Sequence, residues 1–201
     1  MSGHTREWDR FNEKSPIRKE TLTSNMEVLN AHLINDIEDA GQGALSAAKC
    51  FRTHWKMHEQ YESFRLLNNA VLEMAKQLPL ASRTDEKGNP EEVPLKVLES
   101  WGLVYRKGES TDAHTHWPAL WSYCYCVSAC EDCVPITFPH MDTYWGGLND
   151  NEVSHKTGQI LLWPAWITHQ VYEHECDHDR IVVAGNIYTD FEYVYWRSIT
   201  I

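Results

Sequence analysis

The sequence predicts an α+β fold in which helices precede a mainly β core, an antiparallel barrel or sandwich. Apolar residues recur at helical spacing before residue 95 and at the two-residue spacing of strands after it. Nine tryptophans, nine tyrosines and eleven histidines, mostly in the second half, indicate that the chemistry lies there. We expect residues 1–94 to form an arm and supporting helices, and residues 95–201 to form the core of a single compact domain.

The N-terminal half contains two expected helical segments. Residues 1–23 are polar and charged, and an irregular arm is expected there. Ser24–Glu27 has a capping-box pattern, so a helix is expected to start there and to end at Gly41. Residues 44–77 are expected to be helical again because apolar residues recur along one face. The polar stretch 81–94 is expected to be an exposed loop.

The second half contains at least six expected strands. Aromatic residues alternate with small ones in the second of them, which is the period of a strand. Lys107-Gly108 is an expected turn, and Tyr144–Thr157 is an expected polar loop. The expected strands lie at Trp101–Tyr105, Trp121–Val127, Val134–Phe138, Gln159–Trp163, Arg180–Tyr188 and Phe191–Trp196.

Charge and composition exclude several classes of function. The chain has 18 basic and 29 acidic residues, a net charge of −11, which argues against binding to nucleic acid or to an anionic membrane. No apolar run approaches the roughly 20 residues that span a bilayer, and the N-terminus lacks an apolar signal core. Six cysteines are too few for a disulfide scaffold. We therefore expect a cytoplasmic protein with reduced thiols, of undetermined oligomeric state.

Three histidines are candidate metal ligands. His114 and His116 are two residues apart, so on a strand both imidazoles leave the same face. His169 ends an apolar strand that begins after Gly158, and the 53 residues between His116 and His169 leave room for the strands of a small barrel. Three protein ligands on one side of a metal leave positions open for substrate and oxygen, as in non-haem iron sites. The alternative is that these are ordinary polar histidines at strand edges.

Arg180 is a candidate anion-binding residue. It follows His169 across the polar turn Glu173–Asp179, and a hairpin there would return it to the neighbourhood of His169. Its guanidinium would then bind a carboxylate at two points while a metal holds the far end of the same molecule. The alternative is a surface arginine paired with the acids before it.

The second half resembles the iron(II)/2-oxoglutarate-dependent dioxygenases, and in particular small oxygenases of phage and marine bacteria related to prolyl 4-hydroxylases. The resemblance covers about residues 95–190. It depends on HTHWP at 114–118, GQILLWPAWITHQV at 158–171 and RIVVAGNI at 180–187, and the early THWK at 53–56 resembles the family as well.

The resemblance implies a double-stranded β-helix, or jelly-roll, core that binds iron(II) and takes 2-oxoglutarate as cosubstrate. His114 and His169 would be iron ligands, and Arg180 would bind the distal carboxylate of 2-oxoglutarate. The family motif is His-x-Asp, but His116 stands at the third position here. Either the site has three histidines, or His116 lies behind the ligands and a carboxylate comes from elsewhere.

The implied activity is hydroxylation of a small-molecule or peptide substrate with O2, giving succinate and CO2. Tyr123 and Tyr125 are candidates for a hydroxyl bonded to the cosubstrate carboxylate. The literal His-x-Asp at His140–Asp142 is an alternative motif. The rival functions are a metal-binding jelly roll without oxygenase activity, and a three-histidine dioxygenase that does not use 2-oxoglutarate.

Cysteines and aromatic residues near the candidate site each have two interpretations. Cys124 and Cys126 lie on one face of an expected strand, where buried apolar thiols are favoured; Cys130 and Cys133 follow in a turn. A zinc site of these four, or a Cys130–Cys133 disulfide, is the alternative. The aromatic residues either wall the substrate site or fill the barrel core; they are Trp117, Trp121, Tyr123, Tyr125, Trp163 and Trp166.

Overall fold

The computed structural model describes residues 16–43, 46–78, 83–84, 87–91, 94–139 and 152–189. Its helices are α1 (Met26–Ala40), α2 (Met57–Gln60) and α3 (Glu62–Ala75). Its strands are β1 (Arg18–Thr21), β2 (Ala48–Lys49), β3 (Phe51–Arg52), β4 (Arg83–Thr84), β5 (Pro90–Glu91), β6 (Leu95–Tyr105), β7 (Ser110–His114), β8 (Trp121–Ser128), β9 (Ile136–Thr137), β10 (Glu152–Val153), β11 (Gln159–Pro164), β12 (His169–Val171) and β13 (Arg180–Thr189).

Two antiparallel sheets form the body of the protein. The major sheet has six strands in the order β1-β11-β8-β13-β6-β3, and the minor sheet has five in the order β10-β9-β12-β7-β2. β13 lies inside the major sheet and pairs along its length with both β6 and β8. The pair β4–β5 forms a separate small hairpin.

The major sheet separates two apolar cores. On one side α1 and α3 pack against it, and Leu33, Ile37, Phe64 and Leu67 are fully or almost fully buried. The other core contains Trp101, Phe138 and Trp163 and includes residues from both sheets. β8 contributes to both cores because successive side chains of a strand point to opposite faces. Its tyrosines belong to the helix side, whereas Cys124 belongs to the core between the sheets.

Most of the expected strands are confirmed. β6, β8, β9, β11 and β13 lie where the two-residue periodicity predicts them. The expected strand Phe191–Trp196 lies outside the described residues, as does most of the expected loop Tyr144–Thr157.

Three expectations for the N-terminal half need correction. Residues 1–23 include β1, which pairs with β11 and so extends the major sheet. The first helix begins after Asn25 without a side-chain cap, so the capping box of Ser24–Glu27 does not form. The segment 44–77 contains β2 and β3 before its helices. The helical pattern there holds only for its second part, because residues 48–52 pair with strands that are distant in the sequence.

The first 94 residues therefore do more than support the core, because β2 extends the minor sheet and β1 and β3 extend the major one. Among the described residues, no helix has the length and apolar character needed to cross a membrane.

Gly102 on β6 lets α1 approach the major sheet closely. A Cβ at this position would overlap the Ile37 side chain and come 2.7 Å from its Cδ1. We predict that Gly102→Ala lowers the free energy of unfolding by roughly 1–3 kcal/mol because the core is already filled. Urea denaturation monitored by circular dichroism measures this.

A double-mutant cycle with Ile37→Ala provides the control. Ile37→Ala removes the atoms that the new methyl group would meet, so Gly102→Ala is expected to cost less in that background. Equal costs in both backgrounds would contradict the close approach as the cause.

Candidate metal and cosubstrate site

The three candidate histidines meet in one cluster. The distances between ring centroids are 4.3 Å for His114–His169, 4.8 Å for His114–His116 and 5.0 Å for His116–His169. One ligand nitrogen from each ring lies within 4.8 Å of the other two. Such a group of imidazole nitrogens fits a single metal ion.

Strand pairing explains why these residues meet. In the minor sheet His169 is directly opposite His114, so the two rings are cross-strand neighbours. His116 follows two residues after His114, and its backbone N–H donates to the Ala165 carbonyl at 2.8 Å. This bond links the segment after β7 to the segment after β11 and brings the third imidazole beside the pair.

Burial keeps the histidine cluster neutral. Desolvation lowers the pKa of His116 to about 3, and it also lowers the pKa values of His114 and His169. The Nδ1 atom of His114 lies 2.7 Å from the Asp112 carbonyl and that of His169 lies 3.3 Å from the Ile167 carbonyl. Because a carbonyl oxygen only accepts, these two Nδ1 atoms carry hydrogens and the Nε2 lone pairs are available for a metal.

The structure places Arg180 in the same cavity as the histidines. The cavity has a volume of about 330 Å³, and Arg180, His114, His116 and His169 are among the residues that line it. The Arg180 side chain is almost completely buried, and its Nη1 atom has no hydrogen-bond partner within the described part of the chain. A buried cation with an unpaired donor is costly, so this position favours an anionic ligand.

His155 lies beside Arg180 and was not a candidate from the sequence. Its Nε2 lies 2.8 Å from the Gln159 carbonyl and therefore donates to it. This leaves Nδ1 as an acceptor for the Arg180 Nη2, 3.5 Å away. Burial, with the charge of Arg180, lowers the pKa of His155 to about 3 and keeps the ring neutral.

Tyr105, rather than Tyr123 or Tyr125, has its ring beside Arg180, with the centroid 5.2 Å from the guanidinium carbon. It is directly opposite Arg180 in the β6–β13 pair, lines the cavity, and its hydroxyl lies 2.7 Å from the Thr111 Oγ1. The prediction for the other two tyrosines is wrong. Their side chains pack on the helix side of the major sheet.

The hydroxyls of those two tyrosines bind helix residues. The Tyr123 hydroxyl donates to Asn68 Oδ1 at 2.5 Å, and that of Tyr125 donates to Asn30 Oδ1 at 2.7 Å. The alternation of side chains along a strand predicts that Tyr123 and Tyr125 share one face of the sheet. Which of the two faces covers the cavity is known only from the assembled sheets.

The aromatic walls of the cavity differ in part from those expected. Trp163 meets His169 edge to face, with ring centroids 4.9 Å apart. Trp101 and Trp55 also line the cavity and meet edge to face at 4.5 Å. Trp117 is 76% exposed and does not line the cavity. Trp166 is also exposed, and Trp121 packs on the helix side.

Within the described residues, no carboxylate joins the histidine cluster. The Asp112 carboxylate is held at the surface by the Lys49 ammonium at 2.7 Å. The alternative motif His140–Asp142 lies outside the described residues. Behind His116 the Asn186 Nδ2 lies 3.4 Å from the ring Nδ1 and 2.7 Å from the Glu99 carboxylate to which it donates.

Comparison with known families identifies this region. Residues 99–186 match the profile of a family described as putative 2OG-Fe(II) oxygenase. This region of the chain is similar to that family. The resemblance inferred from the three sequence motifs is thereby confirmed. Among curated proteins, the chain has no significant match.

Solved 2-oxoglutarate oxygenases share the fold. A prolyl-4-hydroxylase from Pseudomonas putida is 14% identical, with a TM-score of 0.61 over 90% of this chain and 95% of that one. HygX from Streptomyces hygroscopicus, solved with nickel and 2-oxoglutarate, is 13% identical, with a TM-score of 0.66 over 94% and 89%. A prolyl hydroxylase from Trichoplax adhaerens, solved with a peptide fragment, is 12% identical, with a TM-score of 0.63 over 93% and 89%. The expected double-stranded β-helix is confirmed.

We predict that the metal-free protein loses stability as the pH falls from 6.5 toward 3, and that His155→Gln makes this dependence shallower. The pKa of His155 is about 3 in the folded protein against an ordinary 6.5. Above pH 6.5 the His155 ring is neutral in both the folded and the unfolded protein, and its contribution to the free energy of unfolding is complete. Below that pH the unfolded chain takes up a proton that the folded protein resists, so folding is disfavoured.

Chemical denaturation at a series of pH values checks this. His32→Gln, a substitution on the exposed face of α1, is the matched control. It is expected to leave the slope of the free energy of unfolding against pH close to that of the native chain. Parallel curves for His155→Gln and the native chain would show that His155 does not titrate in this way.

Proposed function

We propose that this protein is an iron(II)- and 2-oxoglutarate-dependent hydroxylase of a small-molecule or peptide substrate. The observation that carries the proposal is the presence, in one cavity, of three neutral imidazoles and a buried guanidinium with an unpaired donor. A ligand with a chelating end and a distal carboxylate satisfies both groups.

The histidine cluster fits an iron(II) ion. His114, His116 and His169 would hold it, and their low pKa values mean that no proton competes for the ligand nitrogens at neutral pH. Three ligands on one side leave positions for 2-oxoglutarate and O2. Bound iron(II) and 2-oxoglutarate supply the oxidising chemistry, in which one oxygen atom of O2 enters succinate and the other enters the substrate hydroxyl, with release of CO2.

Arg180 and Tyr105 would bind the distal carboxylate of 2-oxoglutarate. The guanidinium offers Nη1, and the ring of Tyr105 lies 5.2 Å from its central carbon. His155 orients the guanidinium from the opposite side by accepting from Nη2. Because all three groups are buried, the carboxylate would be held in a setting where charged hydrogen bonds are strong.

The other end of the cavity is suited to an apolar or flat substrate group. Trp55 is 37% exposed, so it stands at the mouth, and the buried Trp101 continues the wall inward. Arg52 lies over the Trp55 ring at 3.8 Å and fixes that ring's orientation. These residues would position the substrate and exclude water from it.

A second candidate function is oxygenation by a three-histidine centre that does not use 2-oxoglutarate. It is favoured by one observation, the absence of a carboxylate from the histidine cluster within the described residues. A jelly roll that binds metal without oxygenase activity has the same support. Arg180 distinguishes the proposed function from both alternatives, because only the proposed function requires it to bind a cosubstrate.

Replacement of Arg180 tests the proposed function directly. We predict that iron(II) added to the metal-free protein without oxygen, followed by 2-oxoglutarate, produces a visible charge-transfer band. Arg180→Gln is expected to weaken 2-oxoglutarate binding by roughly 10- to 100-fold, because a hydrogen bond to a charged group contributes about 1.5–3 kcal/mol. His169→Ala is expected to abolish the band.

Arg106→Gln is the matched control because Arg106 is exposed and faces Asp179 across 3.8 Å at the surface. It is expected to bind 2-oxoglutarate like the native chain. Iron binding without any band would exclude the 2-oxoglutarate assignment and support the second candidate function. Where the band does form, succinate formation from 2-oxoglutarate and O2 separates an active centre from an inactive one.

Tyr105→Phe tests which tyrosine serves the cosubstrate. Loss of its hydroxyl is expected to weaken 2-oxoglutarate binding by about 1 kcal/mol, roughly fivefold, with no change in iron affinity. Tyr125→Phe is the control, because that hydroxyl binds Asn30 on the helix side. The opposite pattern in the same titration would show that Tyr125 faces the cosubstrate.

A further inference from the structure

A second group of metal-binding side chains lies outside the cavity. Cys124 and Cys126 are buried in β8, as the strand pattern predicts, and the zinc site of four neighbouring cysteines does not form. Instead, Cys130 and Cys133 meet Cys176, which is more than 40 residues away in the sequence. All three are free thiols.

The three sulfur atoms have the spacing of thiolate ligands around one ion. The distances between Sγ atoms are 3.5 Å for Cys130–Cys133 and 3.7 Å for each of these with Cys176. Zinc–sulfur bonds of about 2.3 Å in a tetrahedron separate two sulfurs by about 3.8 Å. The backbone N–H of Cys130 also donates to the Cys133 Sγ at 3.3 Å, a contact that stabilises negative charge on sulfur.

His178 is the candidate for a fourth ligand, because its ring nitrogen contacts one of the three sulfurs. Its Nδ1 lies 3.7 Å from the Cys133 Sγ, close to the sulfur–nitrogen separation of about 3.6 Å around tetrahedral zinc. His174 also contacts Cys176, but its Nε2 lies 2.7 Å from the His178 carbonyl and so carries the hydrogen of that bond. A nitrogen that donates has no lone pair for a metal.

The surroundings favour a cation. The loops 129–135 and 172–179 contain two and four carboxylates respectively. Two of them are paired with cations of another loop, Asp177 with Lys107 and Asp179 with Arg106, and the other four leave an excess of negative charge. The cysteines are at or near the surface, which leaves a path for the ion to enter. Thiolate and imidazole ligands favour zinc over the hard cations that oxygen ligands bind.

We propose that Cys130, Cys133, Cys176 and His178 form a structural zinc site that joins the loop after β8 to the loop before β13. Binding converts three thiols to thiolates and releases three protons to solvent, with no change in oxidation state. Four protein ligands fill the tetrahedron, so the ion has no open position for a substrate. The site anchors the loop that ends at Arg180, two residues after His178.

Metal substitution on the full chain tests this site. Cobalt(II) bound by thiolates in a tetrahedron gives intense visible bands and a near-ultraviolet sulfur-to-metal band, which cobalt at the histidine cluster lacks. The expected result is one equivalent of cobalt with the sulfur band, displaced by zinc. His169→Ala is expected to keep this band, so the two metal sites are distinguished.

Cysteine variants assign the ligands. Cys176→Ser is expected to abolish the sulfur band, and Cys50→Ser is the matched control because Cys50 is a half-buried thiol outside the cluster. His178→Ala is expected to weaken metal binding and to alter the visible bands. If Cys176→Ser fails to fold, alkylation of the native chain with and without zinc tests the ligands instead. Zinc is expected to protect Cys130, Cys133 and Cys176 together from alkylation.

Several outcomes would overturn the proposal. A sulfur band that survives in Cys176→Ser would place the metal elsewhere. Equal alkylation of the three cysteines with and without zinc would show that they bind no ion. A Cys130–Cys133 disulfide in the isolated protein, with no sulfur-to-metal band from cobalt after reduction, would identify a redox pair in place of a zinc site.

Discussion

The burial of the Arg180 guanidinium is the constraint on which the rest of the site depends. A cation removed from water needs partners for its donors, and among the described residues none accepts from Nη1. His155 accepts one donor only because its own ring is neutral and oriented by the Gln159 carbonyl. The donor that is left over, Nη1, marks a position in the cavity that favours an anionic ligand.

β13, which carries Arg180, pairs with β6 and β8 inside the major sheet, and this pairing fixes where the residues of those strands lie relative to Arg180. Pairing with β6 sets Tyr105 opposite Arg180, and pairing with β8 sets Cys126 opposite Val182. At the far end of the same strand, Asn186 reaches both Glu99 and His116. One strand thus contacts both ends of the cavity, so the cosubstrate end and the metal end are held in a fixed relation by a ladder of backbone hydrogen bonds.

Metal ligation in this protein would serve two different purposes. In the cavity, three ligands on one side leave the ion open for chemistry, and aromatic walls exclude water around it. At the loop cluster, four ligands would close the coordination sphere and replace the apolar packing that polar loops cannot provide. The two clusters differ in ligand chemistry, imidazole against thiolate, and this difference lets the two metals be distinguished.

Local sequence patterns predicted most strands of the second half and the candidate metal ligands. The alternation in Trp121–Val127 predicts a strand, and the pair His114 and His116 predicts two rings on one face. The family resemblance added the roles of His169 and Arg180. These features can be predicted from the sequence because side-chain alternation and motif spacing depend only on residues that are close together in the chain.

The tertiary structure alone decided which face of each strand covers the cavity and which distant residues complete each cluster. Tyr105 replaces Tyr123 and Tyr125 near Arg180 because sheet assembly turns the latter two toward the helices. β2 and β3 form within a segment of helical pattern because distant strand edges offer better hydrogen-bond partners. Cys176 joins Cys130 and Cys133 only because β8 and β13 are neighbours. Contacts between residues far apart in the sequence produce no local periodicity, so sequence patterns do not predict them.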